Sequence, residues 1–554
     1  MTRLAIVGID GATWTIIRPM IESGELPNIS RILREGVSGV LESEKPPMTP
    51  PAWTSMFTGL NPGKHGVFHF IRRDLGTYGV LLNDSRNYVG KDMMSLLSNR
   101  GWSVGCLSVP MTYPPYPVKD GYMVSGIPMP LVGDSIAWPP GLTDEMTEVL
   151  GHPYEPDVEY GSYDGDTETA SDDLAQYAVL RDHLFKIERE RLDLQRHLLK
   201  TKPTDFYFTV ISVTDRCQHY FWKFQDPTHA GYTEEGNRLY GEVIKDSYRL
   251  ADEFVGEVRE QIGDDVPISL VSDHGFGPQY TDFHVNAWLE EAGFLVRKKT
   301  PRWTMGMLPL KYAFAKIGLA GVGKALGPLG KLVLMRPKIK KYPDMRDVVW
   351  SKTRAFATLH GICINRKGRE PMGIVDGDSA YRQTVDDVLT ALKKIKMPDG
   401  SQAVDLSGVK EDIYDGPRTP EAPDIQFQMA GLSCVTKESW GDKELFGTRK
   451  NAPISGQHRF DGIFAYAGPN AKAGHQLQGM HIQDTSPTLL YATGEAVPKW
   501  MDGRIRGDIY ENPEDPQWDD SPEPGANSGD GGDGFSDEES AAIEESLRGL
   551  GYIQ

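Results

Sequence analysis

Six residues of two chemical types stand out in this chain: Asp10, Asp215, His219, Asp273, His274 and His458. Three of the chain's apolar runs end on an aspartate. AIVGI leads to Asp10, FYFTVISVT to Asp215 and ISLVS to Asp273. In a parallel sheet the carboxyl ends of the strands share one edge, where ligands bind. Three carboxylates delivered there would repel one another unless a cation joined them. A single aspartate of this kind is more often a helix cap or turn former, but three with histidine companions are hard to explain that way. Asp215-Arg-Cys-Gln-His219 sets an imidazole four residues after a carboxylate, on the same side if a helix begins here. Asp273-His274-Gly275 places two ligand types on a tight turn, and Gly456-Gln457-His458 offers a third imidazole just before an apolar run. Carboxylate and imidazole without thiolate suit zinc, with manganese or iron as alternatives.

A nucleophile is the next requirement. Residues 46–59, PPMTPPAWTSMFTG, hold hydroxyls at Thr49, Thr54, Ser55 and Thr58. A metal that binds an alcohol lowers its pKa and makes an alkoxide available near neutral pH. The prolines suggest a rigid loop leading into a helix whose N-terminal amides face a phosphate. Composition does not choose among the four hydroxyls. His65 and His69, just downstream, read as structural, as do His284 and His360.

The elements that must position these groups are legible in outline. Leu4–Ile9, Trp102–Val109, Phe206–Val213, Ile268–Val271, Ile362–Ile364 and Ile463–Tyr466 are near-continuous apolar runs, as expected of strands buried on both faces. Helical spacing separates them over Thr15–Glu22, Ile29–Glu35, Asp172–Leu199 and Asn237–Ile262. Alternating strands and helices predict an α/β domain over 1–510, with a mostly parallel central sheet covered on both sides. Pro, Gly, Tyr and Asp crowd residues 111–170, and the whole of 111–200 reads as a surface and helical excursion.

Charge is unevenly distributed. Of the net −19, residues 511–554 contribute −12, from thirteen acids and the single base Arg548. Residues 297–341 contain twelve Lys or Arg and no acid. That basic, amphipathic stretch, within an insertion over 297–345, reads as a solvated insertion packed on the body, as a lid that attracts an anionic substrate or as a peripheral membrane contact. No nucleic-acid reading motif accompanies it. Residues 511–540 have the composition of an acidic disordered linker, and 541–554 the spacing of a short helix. Four separated cysteines without a CxxC pair argue against a disulfide framework. With an N-terminus that is a poor signal peptide and no apolar run long enough to span a bilayer, the expected compartment is the cytoplasm.

The ordered set GIDG (8–11), TPPAWTSMFTGLNPGKHG (49–66), VTDRCQH (213–219), SDHG (272–275) and GQHRFDGIFAYAGP (456–469) resembles the alkaline phosphatase superfamily, and within it the type I phosphodiesterase/nucleotide pyrophosphatase branch. The stretch DTSPTLLYATGEAVPKWMDGR (484–504) is similar to that group's closing motif. The resemblance implies a three-layer α/β/α domain with inserted lid segments. It also implies two divalent ions and Thr49 as nucleophile, nine residues before Thr58 of the Thr-Gly pair and two before Pro51. One ion would be held by Asp10, Asp273, His274 and Thr49, the other by Asp215, His219 and His458. The reaction implied is cleavage of a phosphodiester or pyrophosphate bond in an anionic substrate through a phosphothreonine. A phosphomonoesterase or phosphotransferase on the same core is the alternative, and a silent phosphate-binding protein a further one. The family's usual asparagine three places after the nucleophile is here Ala52, followed by Trp53, which becomes a candidate substrate contact.

Overall fold

The structure, a computed structural model, describes residues 2–130, 136–158, 174–298, 347–438 and 444–525, with 539–541, 543–544 and 547 near the C-terminus. Its centre is a nine-stranded sheet. In chain order the strands are β1 (Leu4–Ile9), β2 (Val37–Glu42), β3 (Val104–Val109), β4 (Tyr122–Ser125), β5 (Ala137–Trp138), β6 (Phe206–Ile211), β7 (Ile268–Val271), β8 (Asp461–Ala467) and β9 (His475–His481). Across the sheet they lie in the order β9-β2-β8-β7-β1-β6-β3-β4-β5. All run in one direction except β8 and the short edge strand β5. The central strands β1, β6 and β7 are buried at every position, which is why their sequences are apolar without alternation.

Helices cover both faces. α1 (Thr49–Thr58) lies over β1 on one side. α2 (Leu174–Thr201), α3 (Val213–Gln225) and α4 (Val243–Ile262) pack together as a second layer. The expected helix over 237–262 is divided, because Gly241 caps Glu234–Tyr240 before α4 begins. The fit between α1 and the sheet depends on Gly8. A Cβ there would stand 2.4 Å from the Trp53 ring and 2.8 Å from Val210, so only glycine lets the indole lie against β1.

Several segments depart from the sequence reading. Residues 111–200, read as an excursion, supply β4 and β5 to the main sheet. Their runs are too short, and too interrupted by Gly and Pro, to announce themselves. Ile362–Ile364 is a strand, but of a second sheet built from residues 281–448, with its own core of Phe283, Leu289, Ile362, Ile364, Val388 and Ile425. The first part of the acidic linker is bound to the body. Trp518–Asp519 pairs with Val497–Pro498, Asp519 meets Arg100 at 2.9 Å and Glu523 meets Lys91 at 2.5 Å. Beyond it, Ile543 and Leu547 are buried in the main core. The basic stretch of the 297–345 insertion lies almost wholly outside the described residues. Among the described residues no helix is long and apolar enough to cross a membrane.

Gly8→Ala tests the packing of α1 on β1. Overfilling a closed core costs about 1–3 kcal/mol, so the variant is expected to unfold at lower urea with an unchanged slope. A midpoint equal to wild type would show that Trp53 does not occupy this space.

Candidate metal centre

The three aspartates converge because the strands carrying them are neighbours in register. Asp10 follows β1 directly and Asp273 stands two residues beyond β7. Asp215 sits in the first turn of α3, with His219 one turn on. β8 runs against its neighbours, so its start lies at the same edge as their ends. The short strand before it, Gly456–Arg459, pairs with Gly275–Pro278 and brings His458 opposite Phe276. The structure therefore gathers all six sequence-nominated side chains at one buried place.

Their hydrogen bonds follow a single rule. Each carboxylate has one oxygen pinned by a donor of the protein. Trp53 Nε1 donates to Asp10 Oδ2 at 3.2 Å, Arg216 Nη1 to Asp215 Oδ1 at 2.7 Å, and the Gly11 amide to Asp273 Oδ1 at 3.3 Å. The other oxygens, Asp10 Oδ1, Asp215 Oδ2 and Asp273 Oδ2, are buried without a hydrogen-bond partner among the described residues. Each imidazole has its Nδ1 on a backbone carbonyl: His219 on Gly456 at 3.0 Å, His458 on Pro47 at 2.9 Å and His274 on Gly275 at 3.1 Å. A carbonyl only accepts, so Nδ1 carries the proton and Nε2 presents a lone pair.

Two such nitrogens, His219 Nε2 and His458 Nε2, stand 3.0 Å apart, and each is 3.5 Å from Asp215 Oδ2. His274 Nε2 is 3.1 Å from Asp273 Oδ2 and 3.8 Å from Asp10 Oδ1. Acceptors facing acceptors at these distances, out of water, are unfavourable unless a cation lies between them. Two overlapping ligand groups result, Asp215/His219/His458 and Asp10/Asp215/His274, each with its donor atoms within 4.8 Å of one another. The donor set fits divalent metal.

Ionisation follows from the same crowding. Burial raises the Asp10 carboxyl well above its ordinary range, and Asp273 and Asp215 add to the effect. Burial, then Asp215, pushes Asp273 up to about 8. Burial acts to raise Asp215 too, but His219, His458 and the Arg216 guanidinium outweigh it and hold that carboxyl low. Burial pushes His219 down to about 4 and His274 well below its usual value, so both imidazoles are neutral, as metal ligation requires.

Of the four hydroxyls, Thr49 Oγ1 lies 3.3 Å from His274 Nε2. Thr54 and Thr58 bond to helix carbonyls at 2.7 and 2.6 Å, and Ser55 pairs with His65 Nε2 at 3.0 Å. The helix begins at Thr49 itself and offers fewer amides than expected. Pro50 and Pro51 have no N–H, and the Ala52 amide is taken by Met48 O at 3.0 Å. Trp53 is fully buried, and its Nε1 donates to Asp10 Oδ2.

The profile described as type I phosphodiesterase / nucleotide pyrophosphatase matches residues 4–449. The chain belongs to that family. It is accordingly a metal-dependent hydrolase of phosphoester bonds, with a mixed α/β fold on a mostly parallel central sheet. Similar solved structures include phosphonoacetate hydrolase from Sinorhizobium meliloti 1021 in complex with phosphonoformate (14% identity, 89% of this chain, 95% of that one, TM-score 0.47). Murine ectonucleotide pyrophosphatase/phosphodiesterase 5, inactive and in complex with AMP, is similar at 12% identity over 90% of this chain and 96% of that one, with TM-score 0.46. The human form of that protein is 12% identical over 92% and 100%, with TM-score 0.46. No curated protein matches.

Sequence reasoning missed the pins. Arg216 lay in plain view beside Asp215 and is itself clamped by Asp157 Oδ2 at 3.0 Å. Trp53 was assigned to substrate, and the Gly11 amide and three carbonyls leave no signal in residue type.

Asp10 and Asp273 provide a pH test. Acids with raised folded-state pKa values stabilise the metal-free fold below their unfolded pKa of about 4 and lose that contribution as pH rises, through about 8 for Asp273. Metal holds the same carboxylates deprotonated. The gap in melting temperature between metal-loaded and chelated protein is therefore expected to widen from pH 5 to pH 8. A constant or narrowing gap would contradict the arrangement.

Proposed function

We propose that this hydrolase cleaves a phosphodiester or pyrophosphate-type bond through a covalent phosphothreonine on Thr49. The observation that carries the reading is the position of Thr49 Oγ1, 3.3 Å from His274 Nε2 and beside the buried, one-sided ligands. Asp10, Asp273, His274 and Thr49 would hold one divalent ion, and Asp215, His219 and His458 the other, with zinc the best match to carboxylate and imidazole. Bound there, such ions lower the pKa of a coordinated alcohol and neutralise charge on phosphoryl oxygens.

Thr49 Oγ, having lost its proton to solvent, forms a bond to phosphorus. The bond from phosphorus to the leaving oxygen breaks, and the leaving group departs with the electron pair. Water then attacks phosphorus from the opposite side, releases a phosphomonoester and restores the threonine. Trp53, Arg216 and the Gly11 amide keep the carboxylates turned for this work, and the three carbonyls fix the imidazole tautomers.

The amide-poor helix start favours a diester over a monoester. A diester carries one charged oxygen, whereas a monoester dianion brings another that needs a donor. Pro50, Pro51 and the engaged Ala52 amide supply none.

Thr49→Ala is expected to reduce hydrolysis of bis-p-nitrophenyl phosphate by about a thousandfold or more, given the cost of removing a nucleophile, while Thr49→Ser keeps measurable turnover. Wild-type protein should prefer this diester to p-nitrophenyl phosphate and should lose activity with a chelator. Full activity in Thr49→Ala would end the covalent mechanism.

A further inference from the structure

A cleft of the described residues adjoins the metal centre. Its lining includes His219, His458 and Met48 but not Thr49, Asp10 or His274. Its far wall belongs to the second sheet, where Phe427, Met429 and Val435 make a mainly apolar surface. In an in-line displacement the leaving oxygen departs opposite the attacking one. With Thr49 against His274, a cleft bounded by His219 and His458 receives the group that leaves.

One cation breaks this apolar wall. Lys437, at the end of the strand Cys434–Lys437, is half-buried in the lining, and its ammonium has no hydrogen-bond or salt-bridge partner among the described residues. The acids nearest to it are engaged elsewhere. Asp282 accepts from Arg449 Nη1 at 2.9 Å and from Gln279 Nε2 at 2.8 Å, and Glu438 Oε1 accepts from the His360 amide at 2.8 Å. A lysine on a surface ordinarily extends its charge to water; this one lines a cleft shared with two metal-site histidines. Burial lowers its pKa, and the charges of Asp282 and Glu438 offset this in part.

We propose that this cleft is the leaving-group subsite and that the leaving alcohol is an apolar group carrying an anionic substituent held by Lys437. The proposal rests on the phosphodiesterase reading above and names its substrate class: diesters of an acidic, amphiphilic alcohol.

The test uses full-length, metal-loaded Thr49→Ala protein, so that ligands bind without turnover. Calorimetric titration compares ethyl methyl phosphate, methyl phenyl phosphate and methyl 4-carboxyphenyl phosphate. Affinity is expected to rise at each step, the carboxylate adding about tenfold, as a charge-assisted contact does. Lys437→Met in the same background should reduce that last ratio to within about twofold, with melting temperature as the check on folding. Equal affinities for all three ligands, or a carboxylate preference that survives Lys437→Met, would overturn the proposal. Turnover of bis-p-nitrophenyl phosphate by wild-type protein separates the two readings. Turnover with no binding preference removes the subsite alone, whereas binding preference without turnover removes the diesterase reading.

Discussion

Everything at the centre of this protein depends on acceptors that face one another without a hydrogen between them. His219 Nε2 and His458 Nε2 stand 3.0 Å apart with carbonyls fixing both tautomers, and three carboxylate oxygens nearby have no hydrogen-bond partner among the described residues. Buried polar groups in folded proteins are normally satisfied, and the exceptions call for an explanation. A divalent cation would supply it, because it would turn each repulsion into a ligand bond. The pins on the opposite atoms then have a purpose. They leave each ligand one orientation, and that orientation points inward.

The fold meets this constraint with ordinary means. Parallel strands deliver Asp10 and Asp273 to one edge, and the helix after β6 presents Asp215 and His219 on one face. The reversed strand β8, with the short strand before it, brings His458 back to that edge from a distant part of the chain. Gly8 lets α1 settle against β1, so that Thr49 reaches the centre while Trp53, one turn later, steadies Asp10. The second sheet adds no ligand to this set. It stands beside the centre and makes the wall of the cleft that leads away from it.

How much of this could be read in the sequence depended on whether the signal was local. The convergence of the candidate ligands was legible because most end or follow an apolar run, and because Asp215 and His219 share helical spacing. The family's motifs separated Thr49 from three neighbouring hydroxyls; in the structure Thr49 lies beside His274, whereas Thr54 and Thr58 bond to carbonyls of their own helix. The pins were not legible. The carbonyls of Pro47 and Gly456 act through folding alone, and Trp53 looked like a substrate contact because nothing in its sequence neighbourhood points to Asp10. Strands β4 and β5 hid in a stretch whose apolar runs are short and broken by Pro and Gly. The acidic composition of residues 511–525 suggested a linker, but Arg100 and Lys91 on the body pair with Asp519 and Glu523.

The most direct measurement is the metal content of purified protein after dialysis against zinc, by elemental analysis, for wild type and for the single variants His274→Ala and His458→Ala. Two equivalents per chain in wild type are expected, with about one lost in each variant, because each substitution dismantles one ligand group. Wild-type protein that binds no metal, or a content that neither substitution changes, would contradict the assignment of these buried acceptors to metal.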